Sequence, residues 1–146
     1  MASVADLLEA KGNVVWTVGL KHTVYDAIKL MDEKGIGALL VMQKDEMAGI
    51  LSERDYARKV ILKGRSSKDT FVKDIMTTRV FYAHPEQTLD DCMVIMTEHH
   101  IRHLPVMHDS KIIGLVSLGD VVKEIIRSQR DRIEQLEHSI TWQESY

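Results

Sequence analysis

Two short stretches of this 146-residue chain place residues able to grip a sugar and an anion at the end of an apolar run. Gly49-Ile50-Leu51-Ser52-Glu53-Arg54-Asp55 and Gly114-Leu115-Val116-Ser117-Leu118-Gly119-Asp120 both pass from glycine through two apolar residues into Ser-x-x-Asp. A serine in that position suits a helix N-cap, and an aspartate in the first turn suits the positive end of the helix dipole. The same physics supports a second reading. Free N–H groups at a helix start attract phosphate, a serine hydroxyl donates to it, and a carboxylate accepts from both hydroxyls of a ribose. The local pattern leaves capping and binding open.

Other reactive side chains point to less. His99, His100, His103 and His108 cluster, but they cross from a helix end into a strand, and Glu98 lies outside the His-Glu-x-x-His spacing. Structural or phosphate-contacting histidines are favoured over a metal site. Cys92 falls on the apolar face of its helix and reads as a small buried hydrophobe rather than a nucleophile. Lys59, Lys63, Arg65, Lys68 and Lys73 form a basic stretch, either a solvated linker or a cover for phosphates. There is no G-x-x-x-x-G-K-[ST] loop, no usefully spaced carboxylate pair and no Ser-His-Asp motif. An enzyme is therefore not expected.

The elements that must position the two corners come from an internal repeat. A shift of 65 places Val15 on Val80, Thr23 on Thr88, Asp26 on Asp91 and Met31 on Met96. It also places Ile36 on Ile101, Leu39 on Leu104, Val41 on Val106, Gly49 on Gly114, and the two Ser-x-x-Asp pairs on each other. Each copy reads alike. Val14–Val18 and Val80–Ala83 predict short strands. Thr23 and Thr88 predict N-caps, with Gly35 and, less comfortably, His100 as the left-handed stop. Ala38–Met42 with Met47–Leu51, and Leu104–Met107 with Ile112–Val116, predict hairpins. Closing helices begin near Glu53 and Leu118. The unit is β-α-β-β-α, twice.

This repeat resembles a tandem pair of cystathionine-β-synthase (CBS) domains over roughly residues 5–128. The resemblance is carried by Asp74-Ile75-Met76-Thr77, by Ile101-Arg102-His103-Leu104-Pro105-Val106, and by both Gly-h-h-Ser-x-x-Asp endings. It is similar to small stand-alone CBS pairs. It implies an α+β fold, an α/β sandwich of two repeats packed through their sheets with pseudo-two-fold symmetry and a C-terminal helix. The expected layout is repeat 1 at 5–62, a linker at 63–74, repeat 2 at 75–128 and a helical tail at 129–146.

The resemblance further implies two nucleotide clefts between the repeats. Carried over by position, one would use Lys11, Gly12, Trp16, Ile36, Gly37 and Ala38 with Ser117, Gly119 and Asp120. The other would use Ser52, Arg54 and Asp55 with Thr77, Val80, Arg102 and His103. Glu53 and Arg54 stand where the second copy has Leu118 and Gly119, so the two sites are not equal, and the Asp120 site is expected to bind more tightly. The implied function is a non-enzymatic regulatory module that binds an adenine nucleotide, AMP first, and signals to a partner protein as a homodimer. NAD(H), ATP, ADP and S-adenosylmethionine are rival ligands, and a purely structural dimerisation unit is the rival class.

Composition agrees with that expectation. Lys plus Arg is 19 against 22 for Asp plus Glu, a net charge of −3, which argues against nucleic-acid binding. No apolar run is long enough to span a bilayer, and no signal peptide is visible. With a single cysteine, this predicts a cytoplasmic protein with no membrane partner and no catalytic cofactor. In the tail, Ile126, Ile133 and Ile140 recur every seven residues and call for a partner surface, and Trp142 and Tyr146 follow them.

Overall fold

The computed structural model describes residues 2–144, with side chains as far as residue 139. Ile140 and Trp142 are therefore described by backbone alone, and Tyr146 lies outside the described residues. The chain divides into two compact units. One is the continuous stretch Val14–Phe81; the other joins the segment up to Asn13 to the chain from Tyr82 onward.

In the continuous unit β1 (Thr17–Gly19) runs parallel to β2 (Ala38–Gln43), which is antiparallel to β3 (Glu46–Ser52). Helix α2 (Val24–Lys34) connects β1 to β2. Thr23 caps it by accepting from the Asp26 amide, and Gly35 ends it at φ 64°. Its buried face, Val24, Ala27 and Met31, packs with Val18, Leu39, Val41 and Leu51. The apolar stripe at helical spacing thus meets the inward face of the sheet. After β3 come one α-helical turn, α3 (Glu53–Tyr56), and a π-helical turn, Ala57–Ile61. The segment expected as a linker is docked rather than loose. Thr70 and Ser67 carbonyls accept from the Val24 and Tyr25 amides at the head of α2, and a 3-10 turn, Val72–Asp74, inserts Val72 into the core.

The discontinuous unit repeats this plan from other parts of the chain. Helix α1 (Val4–Lys11) is closed by a full capping box between Ser3 and Asp6. Its counterpart 65 residues on is the short 3-10 turn Val72–Asp74, so the repeat does not announce a full helix here. Helix α4 (Leu89–His99) buries Leu89, Cys92 and Met96, each 65 positions after its counterpart in α2. His100 adopts the left-handed conformation at φ 53°, doing with a side chain what Gly35 does without one. The hairpin of β4 (His103–His108) and β5 (Lys111–Ser117) follows. Both hairpins slip register at the same point, Val41/Met42 and Val106/Met107. Helix α5 (Leu118–Glu144) then runs without a break into the stretch expected as a helical tail.

One expected element shrinks for a clear reason. Instead of a strand at Val80–Ala83 there is a single bridge, Ala83 with Val106. In the first repeat the Leu40 amide donates to the Trp16 carbonyl. Pro105 stands at the equivalent place in β4 and has no N–H to donate, so the ladder stops. Likewise β1 is Thr17–Gly19 rather than Val14–Val18, and Val14 is exposed.

Candidate functional site

Each unit contains one Ser-x-x-Asp corner, built the same way. Ser117 ends β5, and its backbone N–H donates to Asp120 Oδ2 at 2.8 Å, while Ser117 Oγ accepts from the Asp120 amide at 3.1 Å. Ser52 and Asp55 make the same reciprocal pair at 3.0 and 3.2 Å. Capping is therefore real at both corners. The strand register brings His103 opposite Ser117 and Ala38 opposite Ser52. The Arg102 and Gly37 carbonyls accept from the Leu118 and Glu53 amides, tying each helix start to its neighbouring strand.

The corners differ in what holds the carboxylate. At Asp120, Lys11 Nζ from the end of α1 approaches Oδ2 to 2.6 Å and also donates to the Leu115 carbonyl. Burial acts to raise the Asp120 carboxyl, but the Lys11 and Ser117 hydrogen bonds outweigh it and hold the group below the usual carboxylate value. At Asp55 the partners are Lys59 Nζ, at 3.0 Å and one helical turn on, and the Thr77 hydroxyl, which donates to Oδ1 at 3.0 Å. The Asp55 side chain keeps 10% exposure, whereas the Asp120 side chain keeps 24%.

That remaining exposure faces a cavity. About 640 Å³ is lined by Arg102, His103, Ser117, Leu118, Gly119, Asp120, Val122 and Lys123. This is a size suited to a small-molecule ligand. Burial pushes the His103 imidazole below its ordinary value; Asp120 opposes that, and Lys11 and Arg102 add to it. The site thus offers a carboxylate, a serine, an exposed arginine, a half-buried histidine and a lysine.

Of the residues expected at the sites, Lys11, Ser117, Gly119 and Asp120 come together in one unit, and Arg102 and His103 line the same cavity. Gly12 caps α1 at φ 94°. Ser52, Asp55 and Thr77 come together in the other unit, where Ile36, Gly37 and Ala38 lead into β2 beside Ser52. Trp16 there carries Lys34 Nζ over its ring at 4.2 Å, Arg54 is exposed and Val80 half-buried. Two lysines join the corners beyond the residues expected at the clefts, Lys59, expected only within the basic stretch, and Lys123. Lys59 carries its signal in the i, i+4 spacing from Asp55; Lys123 shows none. Among the described residues no three His, Cys, Asp or Glu side chains are gathered as metal ligands. Cys92 is buried, and burial raises its thiol to about 11, with Asp91 adding to the shift.

The CBS-domain family model matches residues 3–62 and again 72–127. The chain belongs to the CBS-domain family. It is 40% identical over 144 residues to the CBS domain-containing protein CBSX3, mitochondrial, of Arabidopsis thaliana, covering 92% of this chain and 69% of that protein. The solved structure of a CBS-domain protein from Burkholderia ambifaria MC40-6 shares 56% identity at a TM-score of 0.85, covering 88% of this chain and 96% of that one. The CBS-domain containing protein ATU1752 of Agrobacterium tumefaciens shares 35% at a TM-score of 0.81, covering 84% and 98%. The mixed α+β architecture with its C-terminal helix is that of a CBS pair, and CBS pairs are regulatory modules that commonly bind adenine nucleotides. No helix among the described residues is long and apolar enough to cross a membrane.

Proposed function

We propose that this CBS pair is a non-catalytic sensor of an adenine nucleotide, AMP before its rivals, working as a cytoplasmic homodimer that passes the bound state to a partner protein. The observation that carries this reading is the Asp120 corner. A carboxylate kept ionised by Lys11 accepts the ribose hydroxyls, while Arg102, His103 and Lys123 on the same cavity answer a phosphate. Ligand binding stabilises the liganded arrangement in proportion to its differential affinity, and that difference is the signal.

A thermal-shift panel of AMP, ADP, ATP, NAD and S-adenosylmethionine tests the reading. At a hundred times Kd the right ligand adds about 2.7 kcal/mol, roughly 5–10 °C for a chain of this size. Asp120→Ala weakens that ligand by about 1.5–3 kcal/mol. A flat panel sinks the sensor reading in favour of a structural unit. An unchanged Kd in Asp120→Ala sinks the ribose assignment.

A further inference from the structure

We infer that Lys11 is a built-in competitor for the ribose, so that a nucleotide binds the Asp120 corner by displacing its ammonium; this rests on the nucleotide reading of that corner and adds its regulation. A carboxylate oxygen has two lone pairs. At Asp120 Oδ2 one is taken by the Ser117 amide at 2.8 Å and the other by Lys11 Nζ at 2.6 Å. Two neighbouring hydroxyls laid across a carboxylate put one on each oxygen. The hydroxyl that reaches Oδ2 therefore meets one of these two donors. The Ser117 amide is fixed by the reciprocal cap, in which Ser117 Oγ accepts from the Asp120 amide. Lys11 is the donor that can leave.

Its position is built, not incidental. The start of α1 is tied down by the Val4 and Ala5 amides, which donate to the Gln87 and Pro85 carbonyls at 2.9 Å, and by the Ala2 carbonyl, which accepts from Leu89. Leu8, almost one turn before Lys11, packs over Gly114 of β5. The helix so placed carries Nζ to the Leu115 carbonyl at 2.5 Å as well as to Asp120. That second acceptor keeps the ammonium partnered once Asp120 is surrendered. Both side chains of the pair stay open to exchange, at 36% and 24% exposure. A free aspartate ionises at about 4, so at neutral pH the carboxylate keeps its charge when the lysine departs. The device belongs to this corner alone, because a shift of 65 puts Met76 in the place of Lys11. Affinity falls by the fraction of molecules in which the carboxylate is open, which sets the site to answer higher ligand concentrations than a bare Asp120 would.

Calorimetric titration of the full chain with adenosine tests this, since adenosine carries the ribose and no charge of its own. Lys11→Met, similar in length and uncharged, should bind adenosine about fivefold more tightly than the wild type, the worth of a part-exposed ion pair. Added sodium chloride screens the Lys11–Asp120 pair, so it should tighten adenosine on the wild type and leave Lys11→Met unmoved. A lysine needed only for folding produces no such salt response, and the wild-type salt series stands even where the variant does not fold. Equal or weaker adenosine binding by folded Lys11→Met, or a wild-type affinity that is flat or falls with salt, overturns the inference and leaves the nucleotide reading intact. If neither adenosine nor AMP binds the wild type or the variant, the nucleotide reading falls and the competitor role falls with it.

Discussion

The corner at Asp55 and the corner at Asp120 come from the same sequence pattern and have been used differently. Asp55 is buried, and its two oxygens are divided among the Ser52 amide and hydroxyl, the Thr77 hydroxyl and Lys59. Lys59 in turn donates to the Ile75 carbonyl at 2.9 Å, which pins the strand-to-helix turn to the segment before the second repeat. At Asp120 the Ser117 and Lys11 bonds both fall on Oδ2, and the side chain borders a cavity. One carboxylate has become an internal brace; the other stays available. A duplicated motif therefore signals shared geometry before it signals shared duty.

The sharpest way to break this contrast is to remove each acid in turn. Asp55→Ala should cost about 2–3 kcal/mol of stability, because Thr77 and Lys59 lose a buried acceptor, lowering Tm by several degrees. The ligand affinity measured on the folded fraction should hold. Asp120→Ala should do the reverse, keeping stability within about 1 kcal/mol, as a part-exposed ion pair contributes little. Equal behaviour of the two variants in denaturation and titration would erase the distinction.

A smaller difference separates the paired glycines. A Cβ on Gly49 would sit 2.6 Å from the Thr77 carbonyl oxygen, a backbone atom that cannot give way alone. On Gly114 the obstacle is the tip of Leu8, which can rotate. Gly49→Ala should destabilise by about 1–3 kcal/mol and Gly114→Ala by less, measured by chemical denaturation.

Acidity gives a finer probe. Asp120, lowered in the folded chain, contributes stability that is present above the unfolded carboxylate value of about 4 and lost as pH falls through its lower folded value. His103 is lowered too, and for a base the unfolded chain then binds more protons. Its contribution to stability falls as pH drops below about 6.5, and His103→Gln should flatten that part of the stability profile. A phosphate bound beside His103 opposes the trend, so nucleotide affinity should strengthen over the same range in the wild type alone.

The least effect is expected from thiol reagents. With its thiol raised to about 11, Cys92 should react with iodoacetamide only on unfolding, followed by mass spectrometry.

Much of this was legible in the sequence because the repeat supplied every signal twice. Thr23 and Thr88, the hairpins, and the two Ser-x-x-Asp endings each confirmed the other, and His100 could be placed only because Gly35 occupies the same position. What escaped had no echo. Helix α1 carries a plain cap in Ser3 and Asp6, with Val4, Leu7 and Leu8 buried, but the matching stretch 65 residues on forms only a 3-10 turn. The π-helical turn at Ala57–Ile61 has no sequence signature, and the break of the ladder at Pro105 needed the partner strand to become visible. The pairing of Lys11 with Asp120 was reached only through the family resemblance, because residues 109 apart leave no local pattern.

That pairing has a consequence for how the protein is made. Helix α1 is synthesised before Leu115 and Asp120, to which Lys11 is bonded and which follow more than a hundred residues later. In the interval the whole of Val14–Phe81, a compact unit with its own buried cluster, is synthesised. The Asp120 corner can therefore be fastened only after the segments on both sides of that unit are present, a closure of long sequence separation.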